Sequence, residues 1–414
     1  MGPDYYHRSN CRLCRSEALA KVLSFAPAPL ANAFVTQEHL SREQRCYPLD
    51  LWLCKDCGHV QLLDVIDPRL LYEHYVYVSG TSPVFVRHFE EYANFLIDRF
   101  PLRPPGLVVD IGSNDGTLLR FFKERGYRVL GVDPAQEIGE ASRNAGIPTF
   151  TEFFSPELAS RILSELGHAS AITANNVIAH IDDLAAVMRG VEILLAPDGV
   201  FSFEVSYLAD VLEKTLFDTV YHEHLDYHSV GPLAGFFGRC GLELIEAIRV
   251  DTHGGSLRGV VQRAGGPHKK GTSVQQAIDA ENRMGLRKEQ TFRAFAVHID
   301  ELGRELGGLL RKLKADGKRI AGFGAPAKAT TLMYQFGLDA DTIEFLVDDS
   351  PLKQGRFSPG THIPVLPAQS LYEKRPDYVV ILAWNFAGPI MAKHQKFRES
   401  GGHFIVPLPA VEVH

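Results

Sequence analysis

Leu107-Val-Val-Asp110-Ile-Gly112-Ser-Asn114-Asp115-Gly116-Thr-Leu-Leu119 reads as an apolar strand, a glycine turn and the opening of a helix. An unbroken apolar run marks a strand covered on both faces, and the turn after it is where an α/β sheet receives a nucleotide-type cofactor. A second apolar strand, Arg128-Val-Leu-Gly-Val132, ends in Asp133, 21 residues after Gly112. An acid at that distance is placed to accept hydrogen bonds from ribose hydroxyls.

The turn departs from the dinucleotide pattern. Its spacing is D-x-G-x-x-x-G rather than G-x-G-x-x-G, and Asp115 lies inside it. A carboxylate there repels a pyrophosphate but tolerates a sulfonium or ammonium cation. The turn therefore favours S-adenosylmethionine over NAD, with Asp110, Gly112, Asn114, Asp115, Gly116 and Asp133 as candidate cofactor residues. Strand and helix alternate onward through Ala169–Val177 and Gly199–Val205, so residues 107 to about 265 are expected to form a doubly wound sheet. Asn175 and His180, in Ala174-Asn-Asn-Val-Ile-Ala-His180-Ile-Asp-Asp183, fall at a strand's carboxyl end and join the candidates.

Phe217-Asp-Thr-Val-Tyr221-His222-Glu223-His224-Leu-Asp226-Tyr227-His228 packs more acid–base groups together than a structural segment needs. A neutral imidazole can take a proton near pH 7 and a phenol can support a developing oxyanion. Three histidines compete for the role of base; the bland alternative is a solvated polar loop. Thr252-His-Gly-Gly-Ser-Leu-Arg258 follows, with a basic group before a strand.

Residues 275–316 read as long helices, with Leu302, Leu306, Leu309, Leu310 and Leu313 at helical spacing. Lys318-Arg-Ile-Ala-Gly-Phe-Gly324-Ala-Pro-Ala-Lys328-Ala-Thr330-Thr331 then repeats the strand, turn and helix. This turn holds no acid. Its amides, Lys328 and two hydroxyls suit a diphosphate, or else the glycine is purely structural. Strands at 343–347 and 378–382 complete a second Rossmann-like half.

Upstream, Cys11-x-x-Cys14 and Cys54-x-x-Cys57 form two knuckles separated by 39 residues. Four thiolates on two tight turns close a tetrahedral zinc site with no open position, a structural metal. Cys46 and Cys240 are left over and are expected to be ordinary buried thiols. A tyrosine-rich segment with Tyr75 and Tyr77 follows, either packing or lining a pocket; Phe85–Phe100 then reads as an amphipathic helix. With 45% hydrophobic residues in 414, each of two or three domains can bury a core. A net charge of −7 and a pI near 6.2 argue against nucleic acid and anionic membrane as partners. The N-terminus has no apolar signal core and no apolar run spans a bilayer, so a soluble, cytoplasmic protein is expected, with a monomer as the default.

The double C-x-x-C, D-I-G-S-N-D-G-T-L-L, A-N-N-V-I-A-H-I-D-D, Y-H-E-H-L-D-Y-H-S-V, T-H-G-G-S-L-R-G, G-F-G-A-P-A-K-A-T-T and V-D-D-S-P-L-K-Q-G stand here in order. Together they resemble the S-adenosylmethionine-dependent C-methyltransferases that act on nucleotide-linked 4-ketohexoses in deoxysugar biosynthesis. The resemblance covers nearly the whole chain. It implies a zinc module (1–75), a cofactor-binding methyltransferase domain (76–275) and a Rossmann-like sugar-nucleotide domain (276–414). It also implies His224 as base, with Tyr221, Glu223, His180 and Tyr75 around the sugar. Tyr77, Arg258, Gly324, Lys328 and Thr330 complete the expected substrate contacts, and a thymidine-linked sugar methylated at C-3 is the leading reading. The expected chemistry is removal of an acidic proton beside the ketone and attack of the enolate carbon on the sulfonium methyl, with Tyr221 or His180 at the enolate oxygen and Glu223 setting the imidazole tautomer. Two alternatives stand beside it. An NAD-dependent nucleotide-sugar reductase or epimerase would share the fold, but Asp115 and the lack of a Tyr-x-x-x-Lys pair count against it. A non-enzymatic zinc ribbon would call for a basic face that the knuckles lack.

Overall fold

The computed structural model describes residues 4–72, 80 and 83–414. Tyr75 and Tyr77 lie outside the described residues. The N-terminal strands are β1 (Tyr5–His7), β2 (Leu19–Ala28), β3 (Tyr47–Cys54), β4 (Val60–Leu62) and β5 (Asp64–Ile66). β2, β3 and β4 pair antiparallel, and β1 pairs with β5. Along β3 the residues Tyr47, Leu49, Leu51 and Leu53 are buried and those between them half-buried, the period of two that a sheet with one core face imposes.

The helix Pro83–Arg99 leads into the middle of the chain. There follow β6 (Leu107–Ile111), β7 (Arg128–Val132), β8 (Thr149–Phe150), β9 (Ala169–Asn175), β10 (Leu195–Ser206), β11 (Asp226–Tyr227), β12 (Leu242–Val250) and β13 (Ser256–Arg263). Seven of these form one sheet in the order β12-β13-β10-β9-β6-β7-β8. β6 is buried at every position, as its apolar run predicts. Pairing is parallel from β8 to β10 and antiparallel at β13 and β12. Strand order reverses between β6 and β9, which opens a crevice at their carboxyl ends.

β11 does not join that sheet. It pairs with β4, Asp226 opposite Gln61 and Tyr227 opposite Val60, and completes a four-stranded N-terminal sheet, β11-β4-β3-β2. The histidine-rich stretch is therefore built into the N-terminal sheet although it lies in mid-chain.

Helices Ser273–Met284 and Glu289–Ala315 come next; Leu302, Leu306, Leu310 and Leu313 are buried and Leu309 packs at the core's edge. The last sheet holds β14 (Ile320–Phe323), β15 (Leu346–Val347), β16 (Val365–Leu366), β17 (Tyr378–Ile381), β18 (His403–Val406) and β19 (Glu412–Val413), in the order β16-β15-β14-β17-β18-β19. The strand expected from 343 shortens to β15, and the order again reverses, between β14 and β17. No helix among the described residues is long and apolar enough to cross a membrane.

Candidate active site

The turn after β6 is held open by backbone conformations that need glycine or asparagine. φ is +69° at Gly112, +50° at Asn114 and +77° at Gly116. A Cβ on Gly112 would sit 2.3 Å from Val177 Cγ2, so the turn passes flush against the β9 side of the crevice. Asp133, at the end of β7, accepts the Asn114 amide (2.9 Å) and the Ala135 amide (2.9 Å), with burial raising its pKa. Asp115 accepts Thr117 Oγ1 (2.7 Å) and the Gly80 amide (2.9 Å). Asp110 is buried and accepts Thr173 Oγ1 (2.6 Å), and desolvation pushes it up to about 7. Across the crevice, both amide atoms of Asn175 are buried with no hydrogen-bond partner among the described residues. A buried polar group without a partner is costly, and this one marks a place for a ligand.

Of the three clustered histidines, two are packed away. His222 is buried edge-on against Tyr47, its Nε2 3.4 Å from the Tyr47 carbonyl, and His228 is buried in a stack with His59. His224 is half-buried, as are Tyr221 and His180. Its ring lies 4.1 Å from that of Tyr221 and 5.0 Å from that of His180. His224 Nδ1 is 2.7 Å from the Thr219 carbonyl, which can only accept, so Nδ1 carries the proton and Nε2 keeps its lone pair. Burial lowers His224 to about 4 and His180 to about 3, so both are neutral at pH 7. Thr219, rather than Glu223, thus sets the tautomer. Glu223 turns the other way, accepting Asn32 Nδ2 (2.8 Å), and burial pushes it up to about 7.

The turn after β14 shares the construction of the first: Gly324 has φ +87°, and Asp348, after β15, accepts the Ala325 amide (2.7 Å) and the Ser350 amide (2.8 Å). Its side chains face inward. Lys328 Nζ lies 3.6 Å from the buried Asp218 and 4.6 Å from the centre of the Trp384 ring, while Trp384 Nε1 donates to Asp218 (2.6 Å). Thr330 donates to the Ala31 carbonyl (3.2 Å) and Thr331 to that of Val220 (2.6 Å). Arg258 is also committed: it grips Glu204 through Nε (2.7 Å) and Nη2 (2.6 Å) and stacks 4.2 Å over Tyr92. The Sγ atoms of Cys11, Cys14, Cys54 and Cys57 all lie within 4.8 Å of one another; of the two leftover cysteines, expected to be buried, Cys46 is exposed and Cys240 half-buried.

Comparison with known proteins settles the family. Residues 11–72 match a family model of a candidate zinc binding domain, 85–247 a methyltransferase domain and 251–409 a C-methyltransferase C-terminal domain. The chain is 36% identical to the C-methyltransferase NovU of Streptomyces niveus over 97% of its own length and 96% of that protein's. The chain belongs to the S-adenosylmethionine-dependent C-methyltransferases. Among solved structures, this methyltransferase is similar to magnesium protoporphyrin IX methyltransferase from Synechocystis PCC 6803 with bound SAM (14% identity, 43% of this chain and 79% of that one, TM-score 0.33). It is also similar to the CcbJ methyltransferase of Streptomyces caelestis (17% identity, 47% and 94%, TM-score 0.35). At these scores neither adds to the assignment.

The methyltransferase has residues that fit both groups its family carries. The Asn175 amide, without a partner among the described residues, the open Gly112–Gly116 backbone and Asp133 would fit an adenosyl cofactor in the crevice, and the Asp115 carboxylate would suit its sulfonium. Sγ pairs 3.6 Å (Cys11 and Cys57) and 3.5 Å (Cys14 and Cys54) apart are close to the roughly 3.8 Å edge of a Zn–S tetrahedron. Asn32, Thr219, Asp218 and Arg12 were not among the residues singled out from sequence. Asp218 stood inside the histidine-rich quotation and Arg12 between two cysteines, but only tertiary contact gives either a purpose.

Proposed function

We propose that this C-methyltransferase acts on a nucleotide-linked 4-keto-deoxyhexose, with a thymidine-linked sugar methylated at C-3 as the first candidate, in deoxysugar biosynthesis. The observation that carries the reading is the half-buried His224, neutral and with its lone pair on Nε2 because Thr219 holds the other nitrogen. Methylation at carbon requires a carbon nucleophile, and a carbon beside a ketone becomes one when a base removes its proton. S-adenosylmethionine, when bound, supplies the electrophilic methyl. His224 takes the proton at Nε2. A base held near 4 is a weak acceptor, so catalysis leans on stabilising the enolate oxygen, for which Tyr221 and neutral His180 are the nearest ring groups.

The nucleotide is assigned to the C-terminal unit, along the Gly324 turn, with Lys328 and Thr330 in its wall and Arg258 fixed beside the cofactor crevice. In support, Thr331 bonds to Val220, four residues before the base, so one elongated ligand can reach both. Tyr75 and Tyr77 are proposed for the sugar. Unit boundaries near residues 75 and 275 fit this division, with a cytoplasmic monomer as the working form.

The test incubates the protein with S-adenosylmethionine and a panel of 4-ketosugar nucleotides and weighs the products. A gain of one methyl is expected on at least one sugar; no gain on any would remove the substrate class. His224→Ala should lose about 10² to 10⁴ in methyl transfer and in solvent deuterium exchange at the acidic carbon, with cofactor affinity unchanged. Near-normal exchange in that variant, with loss in His180→Ala, would move the base.

A further inference from the structure

Arg12 lies between the first two cysteines, yet its side chain is fully buried and spans to the segments that carry both site histidines. Nε donates to Asp182 Oδ1 (3.0 Å), two residues after His180. Nη1 donates to the carbonyl of Leu62 and to Gln61 Oε1 (3.2 Å), and lies 3.5 Å from the carbonyl of Leu225, the residue after His224. The two segments are also tied by backbone, Leu225 N to Ala179 O at 2.7 Å and Leu62 N to Leu225 O at 2.8 Å. Asp182 gathers Tyr6 and Arg8 as well, Arg8 Nη1 at 2.8 Å.

We infer that Arg12 is a positioning residue for the reaction, fixing the His180 segment against the His224 segment and so setting the separation of the two imidazoles. Arginine suits this place because its planar fork keeps its charge when buried and donates in several fixed directions at once. Asp182 and Asp226 balance that charge; Arg12 helps hold Asp226 below the usual carboxylate range, and Asp226 Oδ1 sits 2.6 Å from His59 Nε2. Asp226 is also the first residue of β11, so the guanidinium stands where the N-terminal sheet receives the catalytic stretch. Misplacing a reacting group by about 1 Å costs roughly 10²-fold in rate, so a residue that touches no substrate can still govern the chemical step.

The inference rests on the proposed roles of His224 and His180, and its test keeps the two apart. Wild type, Arg12→Met, Arg12→Lys, Asp182→Asn and Arg8→Met are prepared as zinc-loaded full chains, with zinc content and cofactor affinity measured for each. The readouts are deuterium exchange at the ketosugar's acidic carbon and the ¹⁵N imidazole signals of His180 and His224, which need no substrate. Arg12→Met should lose about 10²-fold in the exchange rate constant with KM and zinc content unchanged, and should shift both histidine signals. Arg12→Lys should recover part of the loss, Asp182→Asn should shift His180 more than His224, and Arg8→Met, which does not reach Leu225, should fall least. Wild-type exchange and unshifted histidines in a zinc-replete Arg12→Met would overturn the inference. Should that variant fail to fold, unshifted histidines in Asp182→Asn would overturn it instead. If wild type exchanges no ketosugar, the substrate reading fails while the histidine signals still decide Arg12.

Discussion

The two Rossmann-like halves are built with the same local device and use it for different ends. In each, an acid after the second strand accepts an amide of the glycine turn and a second amide two residues beyond itself: Asp133 with Asn114 and Ala135, Asp348 with Ala325 and Ser350. In each, strand order reverses beside that turn. At the first reversal the Asn175 amide has no hydrogen-bond partner among the described residues; at the second, Trp384 donates to Asp218 of the histidine-rich stretch and Lys328 Nζ stands 3.6 Å from the same carboxylate as an ion pair without a hydrogen bond. A crevice that suits a ligand's polar groups suits the chain's own just as well. The first crevice is the one proposed for the cofactor; at the second, side chains beside the turn proposed for the nucleotide also tie that half to the histidine-rich stretch.

The contrast can be broken most severely at Lys328. Lys328→Met leaves the buried Asp218 without its cation, and urea unfolding should report a loss of about 3–5 kcal/mol, with cofactor affinity of the folded fraction unchanged. A loss below 1 kcal/mol would mean that this pair does not tie the second half to the histidine-rich stretch. Next comes the exchange of acids: Asp133→Ala should cost about 1.5–3 kcal/mol of S-adenosylmethionine binding by calorimetry, whereas Asp348→Ala should cost none. Equal effects would erase the distinction. The glycines make a finer comparison. Gly112→Ala and Gly324→Ala both force alanine to positive φ, against Val177 at 2.3 Å and Ala383 at 2.6 Å, and each should lose about 1–3 kcal/mol of stability, but only the first should weaken the cofactor.

The smallest effect concerns pH. As the proposed base, His224 would act in its neutral form, and burial lowers its pKa from 6.5 to about 4, so it stays neutral down to about pH 5. The exchange rate at pH 6 should then lie within about twofold of that at pH 7.5, where an unperturbed imidazole would fall about fourfold. Glu223, raised to about 7, titrates in the same window, and Glu223→Gln removes that contribution.

What the sequence made readable was whatever local backbone geometry dictates. Both glycine turns, the acid at the end of the second strand, the fully apolar β6 and the paired cysteine knuckles each carry a spacing that few other structures share. The helix read from Phe85 runs from Pro83, and of the leucines at helical spacing Leu302, Leu306, Leu310 and Leu313 are buried, with Leu309 at the core's edge. The unread features are tertiary. β11 is two residues long and finds its partner far upstream, with no periodicity to betray it. Arg12 is of a type seldom fully buried, so nothing about its neighbours in sequence suggested it. Thr219 acts through a carbonyl, which every residue has. Lys328 and Thr330 stand after a glycine turn, a place that suits a diphosphate or is purely structural; their contacts with Asp218 and the Ala31 carbonyl are tertiary and carry no signal in the sequence.

The strand exchange at β11 also bears on how the chain is made. His59, just ahead of β4, and Asp226 are 167 residues apart, a stretch that takes roughly 8 to 30 s to synthesise. Throughout that interval the knuckles can already hold their metal while β4 waits with an unpaired edge, the part of any sheet most open to a stranger's strand. The nascent N-terminal module is thus at its most vulnerable just after it first becomes able to fold, and the arrival of the histidine-rich stretch at the ribosome's exit is what seals it.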